Sequence, residues 1–221
     1  MSNGWRRPKA AAFAVIGLMT AYVLYHNESF LVRPSDPNWP HYRDLGWLLL
    51  VHGVAGGSAL LLAPLQFSER LRRRFVAMHR IAGRIYVFGV FVLAPFGAYI
   101  QYVDQQSGAS WTFTVAAVVD AILLAGTAAI AFVYARQRQI RQHRQWMTRS
   151  YAVALVFFEV RAILGLTGWE RLGDVVSETV IWCCLALAVV IGDVANDWYD
   201  AVPQRAAARG EVRQETVGQL A

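Results

Sequence analysis

The chain predicts an all-α, polytopic transmembrane bundle of six spanning helices, and three observations carry that expectation. Its 221 residues are 56% hydrophobic, above ordinary soluble usage. Several apolar runs approach the roughly 20 residues that a helix needs to cross a bilayer. The arginines gather in short connections beside those runs, where membrane orientation and anionic lipid account for them.

The first span runs from about Pro8 to Tyr25, after Arg6, Arg7 and Lys9. A basic start followed by an apolar run resembles a signal peptide, but Thr20 to Tyr25 offers no small-x-small cleavage site, so it reads as an uncleaved helix. Glu28 to Asp44, with three prolines, Trp39 and His41, reads as an ordered external loop with an interfacial aromatic. The second span covers Leu45 to Phe67, and Ser68 to Met78 is a short turn carrying Arg70, Arg72, Arg73 and Arg74. The third runs from His79 to Tyr102, the fourth from Trp111 to Tyr134, the fifth from Ser150 to Leu166 and the sixth from Val175 to Val194. The fifth has room to start earlier, as an interfacial helix in the basic connection Arg136 to Arg149. Residues 1–195 make one transmembrane helical domain, with helices two to five as its central unit. Residues 196–221 form a polar cytoplasmic tail expected to be disordered.

Orientation follows from the arginine and lysine bias. Sixteen of these residues lie in the N-terminal segment, the two arginine-rich connections and the tail, against Arg33, Arg43 and Arg171 in the other three loops. Both termini are therefore expected in the cytoplasm of a bacterial-type inner membrane. The net charge of +6 does not argue for nucleic acid, because the basic residues sit beside apolar runs. Cys183 and Cys184 are adjacent in one run and diverge on a helix, so they read as small buried hydrophobes.

The candidate chemistry centres on His143-Arg-Gln-Trp-Met-Thr-Arg149. At 100° per residue His143, Trp146, Met147 and Ser150 share a helical face, and Arg161 returns to it about 27 Å further on. Charge inside lipid must turn towards protein or water, so that face is expected to be interior. Two polar layers follow from depth. The inner one holds His79 and His143 with Arg74, Trp146 and Arg149. The outer one holds His52, Asp120, Glu159, Arg161 and Glu178, about 15 to 20 Å away.

Two histidines from two helices at one level can take both axial positions of a haem iron, since facing helices hold a flat macrocycle between them. His79 and His143 form that pair, with Gly83 one turn beyond His79 leaving room for a ring edge. Arg74 and Arg149 are placed to meet haem propionates. The bland alternative is a pair of interfacial histidines facing solvent beside arginines. In the outer layer, Arg161 with Asp120, Glu159 or Glu178 reads either as a structural ion pair or, with His52, as a pocket for a quinone or another polar-headed ligand. A faint repeat joins His79-Arg80-x3-Arg84-x-Tyr86 to His143-Arg144-x4-Arg149-x-Tyr151.

His52 with Gly56, Ala63-Pro-Leu-Gln66-Phe67, Arg72 to Arg74, His79-Arg-x2-Gly83-Arg-x-Tyr86, and His143-Arg-x-Trp146-Met147-x-Arg149-Ser150 with Arg161 resemble the predicted membrane proteins of domain of unknown function 2306. The resemblance spans about Leu45 to Leu187 and implies a bacterial multi-span inner-membrane protein with no reaction attached. A weaker, architectural similarity is to small b561-type membrane cytochromes, although the histidines here are too few for two complete pairs.

Two functions remain open on the sequence. One is a membrane protein that binds a b-type haem and transfers electrons to or from a quinone or a membrane redox partner. The other is a non-catalytic lipid-binding protein, assembly factor or transporter subunit, in which the same residues are ion pairs and anchors.

Overall fold

In the computed structural model, residues 6–27 and 43–219 are described. The external loop expected at Glu28 to Asp44 lies almost wholly outside them; only its end is seen, as a single 3-10 turn over Arg43–Leu45.

Eight helices carry the chain among the described residues: α1 (Arg6–His26), α2 (Gly46–Gln66), α3 (Glu69–Arg74), α4 (Val76–Gln106), α5 (Trp111–Arg136), α6 (Ile140–Ala154), α7 (Val156–Thr167) and α8 (Asp174–Gln219). Five segments are long and apolar enough to cross a membrane: α1 from Lys9, α4, α5, α6 with α7, and α8 to Ala201. In α2 the apolar stretch Gly46–Leu62 is shorter, although the whole helix of 21 residues is about 31 Å long at 1.5 Å per residue. The molecule is thus an all-α polytopic bundle.

Chain order fixes the packing. α2 lies along α4, α4 along α5, α5 along α6, and α6 along α8, while α6 also touches α2 and so closes a four-helix unit. Successive spans run antiparallel through short connections, which leaves α4 and the α6–α7 span parallel, on one diagonal of that unit. Small residues allow the close approach: an added Cβ at Gly89 of α4 would stand 3.2 Å from the Ala55 carbonyl oxygen of α2, and one at Gly192 of α8 would stand 3.1 Å from the Arg149 Cα of α6. Small residues at such crossings are how lipid-embedded helices gain contact. α1 packs on the flank, against α7.

Three features refine the expected fold. The turn after α2 contains a helix of its own, α3, whose N-cap Ser68 accepts a hydrogen bond from the Leu71 amide. The fifth span starts at Ile140, ten residues before Ser150, and breaks at Leu155. There the Leu155 amide bonds the Ala152 carbonyl at 3.2 Å, a three-residue spacing that tightens the turn. The tail, expected to be disordered or only loosely helical, continues α8 to Gln219. Its alanine, arginine, glutamine and glutamate are strong helix formers, and a preceding helix supplies the nucleus that is costly to make alone.

Candidate functional site

Each span brings one strip of residues to the bundle axis. On α5 that strip is Ala116, Asp120, Leu124, Ala128 and Ala131, all buried at the spacing of one helical face. On α4 it includes Tyr86 and Val90, both fully enclosed, and on α6 it includes Met147 and Ser150. The tyrosine and serine meet across the diagonal: Tyr86 Oη lies 2.9 Å from Ser150 Oγ, both side chains being 0% exposed. This contact sets the register of two parallel helices.

His79 and His143 each lie seven residues before a member of that contact. Seven residues are close to two turns, so each histidine shares the face of its partner residue, about 10 Å nearer the arginine-rich end. The two helices therefore bring both imidazoles to one depth on facing strips. His143 is within electrostatic range of His79, as are Arg72 and Arg80. The His143 Nδ1 lies 2.8 Å from the Ala131 carbonyl oxygen. A carbonyl only accepts, so Nδ1 is the donor here, and in the neutral ring the lone pair then lies on Nε2. Gly83 is covered by Gln66, whose Oε1 would stand 3.6 Å from an added Cβ.

The other inner residues are engaged elsewhere. Arg149 donates from Nε to Asp193 of α8 at 2.6 Å and lies 4.8 Å over the Trp146 ring. Arg74 is exposed beside the Phe75 ring. Sequence reasoning missed the acceptors on α8. Asp200 takes hydrogen bonds from Arg141 at 3.0 Å, from Gln145 at 3.3 Å and from Arg144. Arg144 also stacks 3.8 Å over Tyr199, whose hydroxyl is bonded to Glu69 of α3. Asn196, buried, donates to the Gln145 carbonyl at 3.1 Å. The acidic spacing Asp193 to Asp200, two turns on one face, was the signal available for this clasp.

At the far end His52 packs into a notch of α4, because an added Cβ at Gly97 would come within 2.9 Å of its Cε1. The Thr114 hydroxyl bonds the Gln101 carbonyl at 3.2 Å and so aligns α5 with α4. Asp120, six residues deeper than Thr114, then falls within about 3 Å of the depth of Gly97. Counting on from Ser150 as from Tyr86 puts Glu159 at the same level. His52, Asp120 and Glu159 thus lie at similar depths on three helices, with Glu159 in electrostatic range of Cys184 of α8. His52 Nδ1 and Asp120 Oδ1 are enclosed and hold no hydrogen bond among the described residues. These levels stand about 24 to 27 Å along the helices from His79 and His143, against the 15 to 20 Å expected.

Arg161 and Glu178 are set apart from them. Arg161 lies on α7 beyond the tightened turn at Leu155, with part of its surface exposed. Glu178 accepts a hydrogen bond from Ser110 Oγ at 2.8 Å, at the start of α5 and about 15 Å nearer the helix end than Asp120. Among the described residues no group of three or more histidine, cysteine or acidic side chains is placed to hold a metal ion, so the candidate centre rests on the two-histidine pair.

Gly97→Ala is expected to push the His52 ring out of its notch at a cost of about 1 to 3 kcal/mol. A thermal melt in detergent checks this, and an unchanged midpoint would show that the ring has room to move.

Apolar spans, a closed four-helix unit and polar groups held inside it define an integral, polytopic α-helical membrane protein. The chain belongs to the predicted membrane protein family DUF2306, whose model matches residues 49–195, about two-thirds of its length. No curated protein and no solved structure matches it.

Proposed function

We propose that this protein is a bacterial inner-membrane electron carrier that holds a b-type haem between His79 and His143 and exchanges electrons with a membrane-soluble partner, both termini lying in the cytoplasm. One observation carries the reading. The Tyr86–Ser150 contact joins α4 and α6, and a histidine lies seven residues before each member of it. Two parallel helices thereby offer imidazoles at equal depth.

The chain's own residues fit that use. Ala131 fixes the His143 tautomer through its carbonyl and leaves Nε2 as the donor atom, which is the usual way a protein orients a histidine ligand. The buried Tyr86–Ser150 pair and Met147 keep water from the far side of the pair. When bound, the haem supplies reversible one-electron chemistry. The orientation rests on the arginine bias.

The test is an absorbance spectrum of protein purified after expression with haem supplied. A Soret band is expected, lost in His79→Ala and His143→Ala with helical content unchanged. A colourless wild-type protein, or a band unaltered in both variants, would overturn the proposal. The rival reading, a non-catalytic lipid-binding, assembly or transporter-subunit protein, draws on a specific observation: Arg144 and Arg149 are paired with Asp200 and Asp193, so the inner arginines hold helices together.

A further inference from the structure

Asp120 is 6% exposed on α5, and its enclosed Oδ1 holds no hydrogen bond among the described residues. No charged side chain among them stands in electrostatic range of this carboxyl. What it faces follows from a contact at the other end of the same helix. Ala131 of α5 meets His143 of α6 through its carbonyl, and Asp120 lies eleven residues before Ala131, three turns to within about 20°. Asp120 therefore faces the α6–α7 span as Ala131 does. The two helices run antiparallel, so eleven residues on from His143 comes Ala154, the last residue of α6. The buried acid thus stands opposite the break at Leu155.

That break is polar in one sense only. A continued helix would bond the Leu155 amide to the Tyr151 carbonyl, but the amide turns to the Ala152 carbonyl instead, at 3.2 Å. The end of α6 therefore presents its last carbonyls, the negative pole of a helix. A carboxylate has nothing to donate to them and is repelled, whereas a carboxylic acid is neutral and carries a donor hydrogen. The other elements at this depth bring no compensating cation. α4 offers Ala94 and Gly97, with His52 of α2 beside Gly97 and its Nδ1 also unbonded. α8 offers Cys184, in range of Glu159 of α7. Glu159 and Arg161 lie a turn or more beyond the break, and neither acts on Asp120.

We propose that Asp120 is an intramembrane proton-binding site: in this conformation it is a carboxylic acid facing the carbonyl end of α6, and it exchanges its proton with water through the near end of the bundle. A metal ion needs several oxygen ligands, and a lone carboxyl does not supply them. A proton needs neither a cavity nor a second acid. Nine residues, about 14 Å, separate Asp120 from the start of α5. That end carries the Ser110 and Thr112 hydroxyls, 2.9 Å apart, and Glu178 bonded to Ser110. Release passes the proton to water and leaves a carboxylate against the carbonyls, so it loosens the seam between α5 and the α6–α7 span. The site is independent of the haem reading.

The test is infrared spectroscopy of the full chain in phosphatidylcholine liposomes at neutral pH. A carboxylic-acid C=O band is expected, moved to lower frequency by carboxyl-labelled heavy-isotope aspartate, shifted again in heavy water, and lost in Asp120→Asn. The isotope identifies the band as aspartyl in the wild type, so the result stands even where the variant folds poorly. Thermal melts in detergent supply a second measurement. Ionisation strains the folded bundle and not the unfolded chain, so stability is lost as pH rises. From about pH 6 to about pH 9 the wild-type midpoint is expected to fall, and that of Asp120→Asn, whose side chain stays neutral, to fall by less than half as much. Absence of an aspartyl acid band in the wild type, a band that heavy water leaves unmoved, or equal falls in the two proteins would each overturn the proposal.

Discussion

Gly89→Leu is expected to leave little monodisperse protein after detergent extraction. Gly89 is where α4 presses against α2, and even a methyl group there would stand 2.5 Å from Ser58 Oγ and 3.2 Å from the Ala55 carbonyl oxygen. Ser58 cannot simply turn aside without loss, since its hydroxyl is bonded to that same carbonyl at 2.7 Å. Overpacking by a methyl costs about 1 to 3 kcal/mol, and the three further carbons of leucine must force the helices apart. Since close approach of small residues is a main source of helix cohesion in lipid, the α2–α4 pair should not form. Gly89→Ala should fall between, with its midpoint partly restored by Ser58→Ala, a coupling that a double-mutant cycle measures. A leucine variant that extracts and melts like the wild type would show that the helices do not meet here.

Tyr86→Ala is expected to cost about 3 to 5 kcal/mol, because Tyr86 is the largest fully enclosed side chain and its loss opens a void on the diagonal. The hydroxyl can be separated from the ring. Tyr86→Phe leaves Ser150 Oγ enclosed without its partner, at about 1 to 3 kcal/mol, whereas adding Ser150→Ala removes the stranded group and should recover most of that loss. Thermal midpoints of the four proteins decide it. If Tyr86→Phe alone is neutral, the hydrogen bond does not hold the register on which the placement of His79 and His143 depends.

The spans themselves were legible because an apolar run near 20 residues is seldom anything but a membrane-crossing helix. The depth of His79 relative to His143 was legible too, since both follow arginine-rich connections. The register was not: it is set by Tyr86 against Ser150, a pairing of residue types common in any core. The break at Leu155 was invisible because no proline or glycine marks it. The acceptors Asp193 and Asp200 were passed over because they lie where the sixth span turns polar, and a polar run read alone looks like a tail. Only when α8 is seen to continue as a helix do those aspartates line up beneath Arg144 and Arg149.

The clasp at the arginine-rich end carries a consequence for biosynthesis. Asp193, Asn196, Tyr199 and Asp200 are made after every residue they fasten. While the nascent polypeptide still ends short of them, His79 and His143 are already synthesised and the mouth of the bundle has no closure. Assembly therefore includes an interval in which that end of the bundle stands open, and it closes when α8 docks.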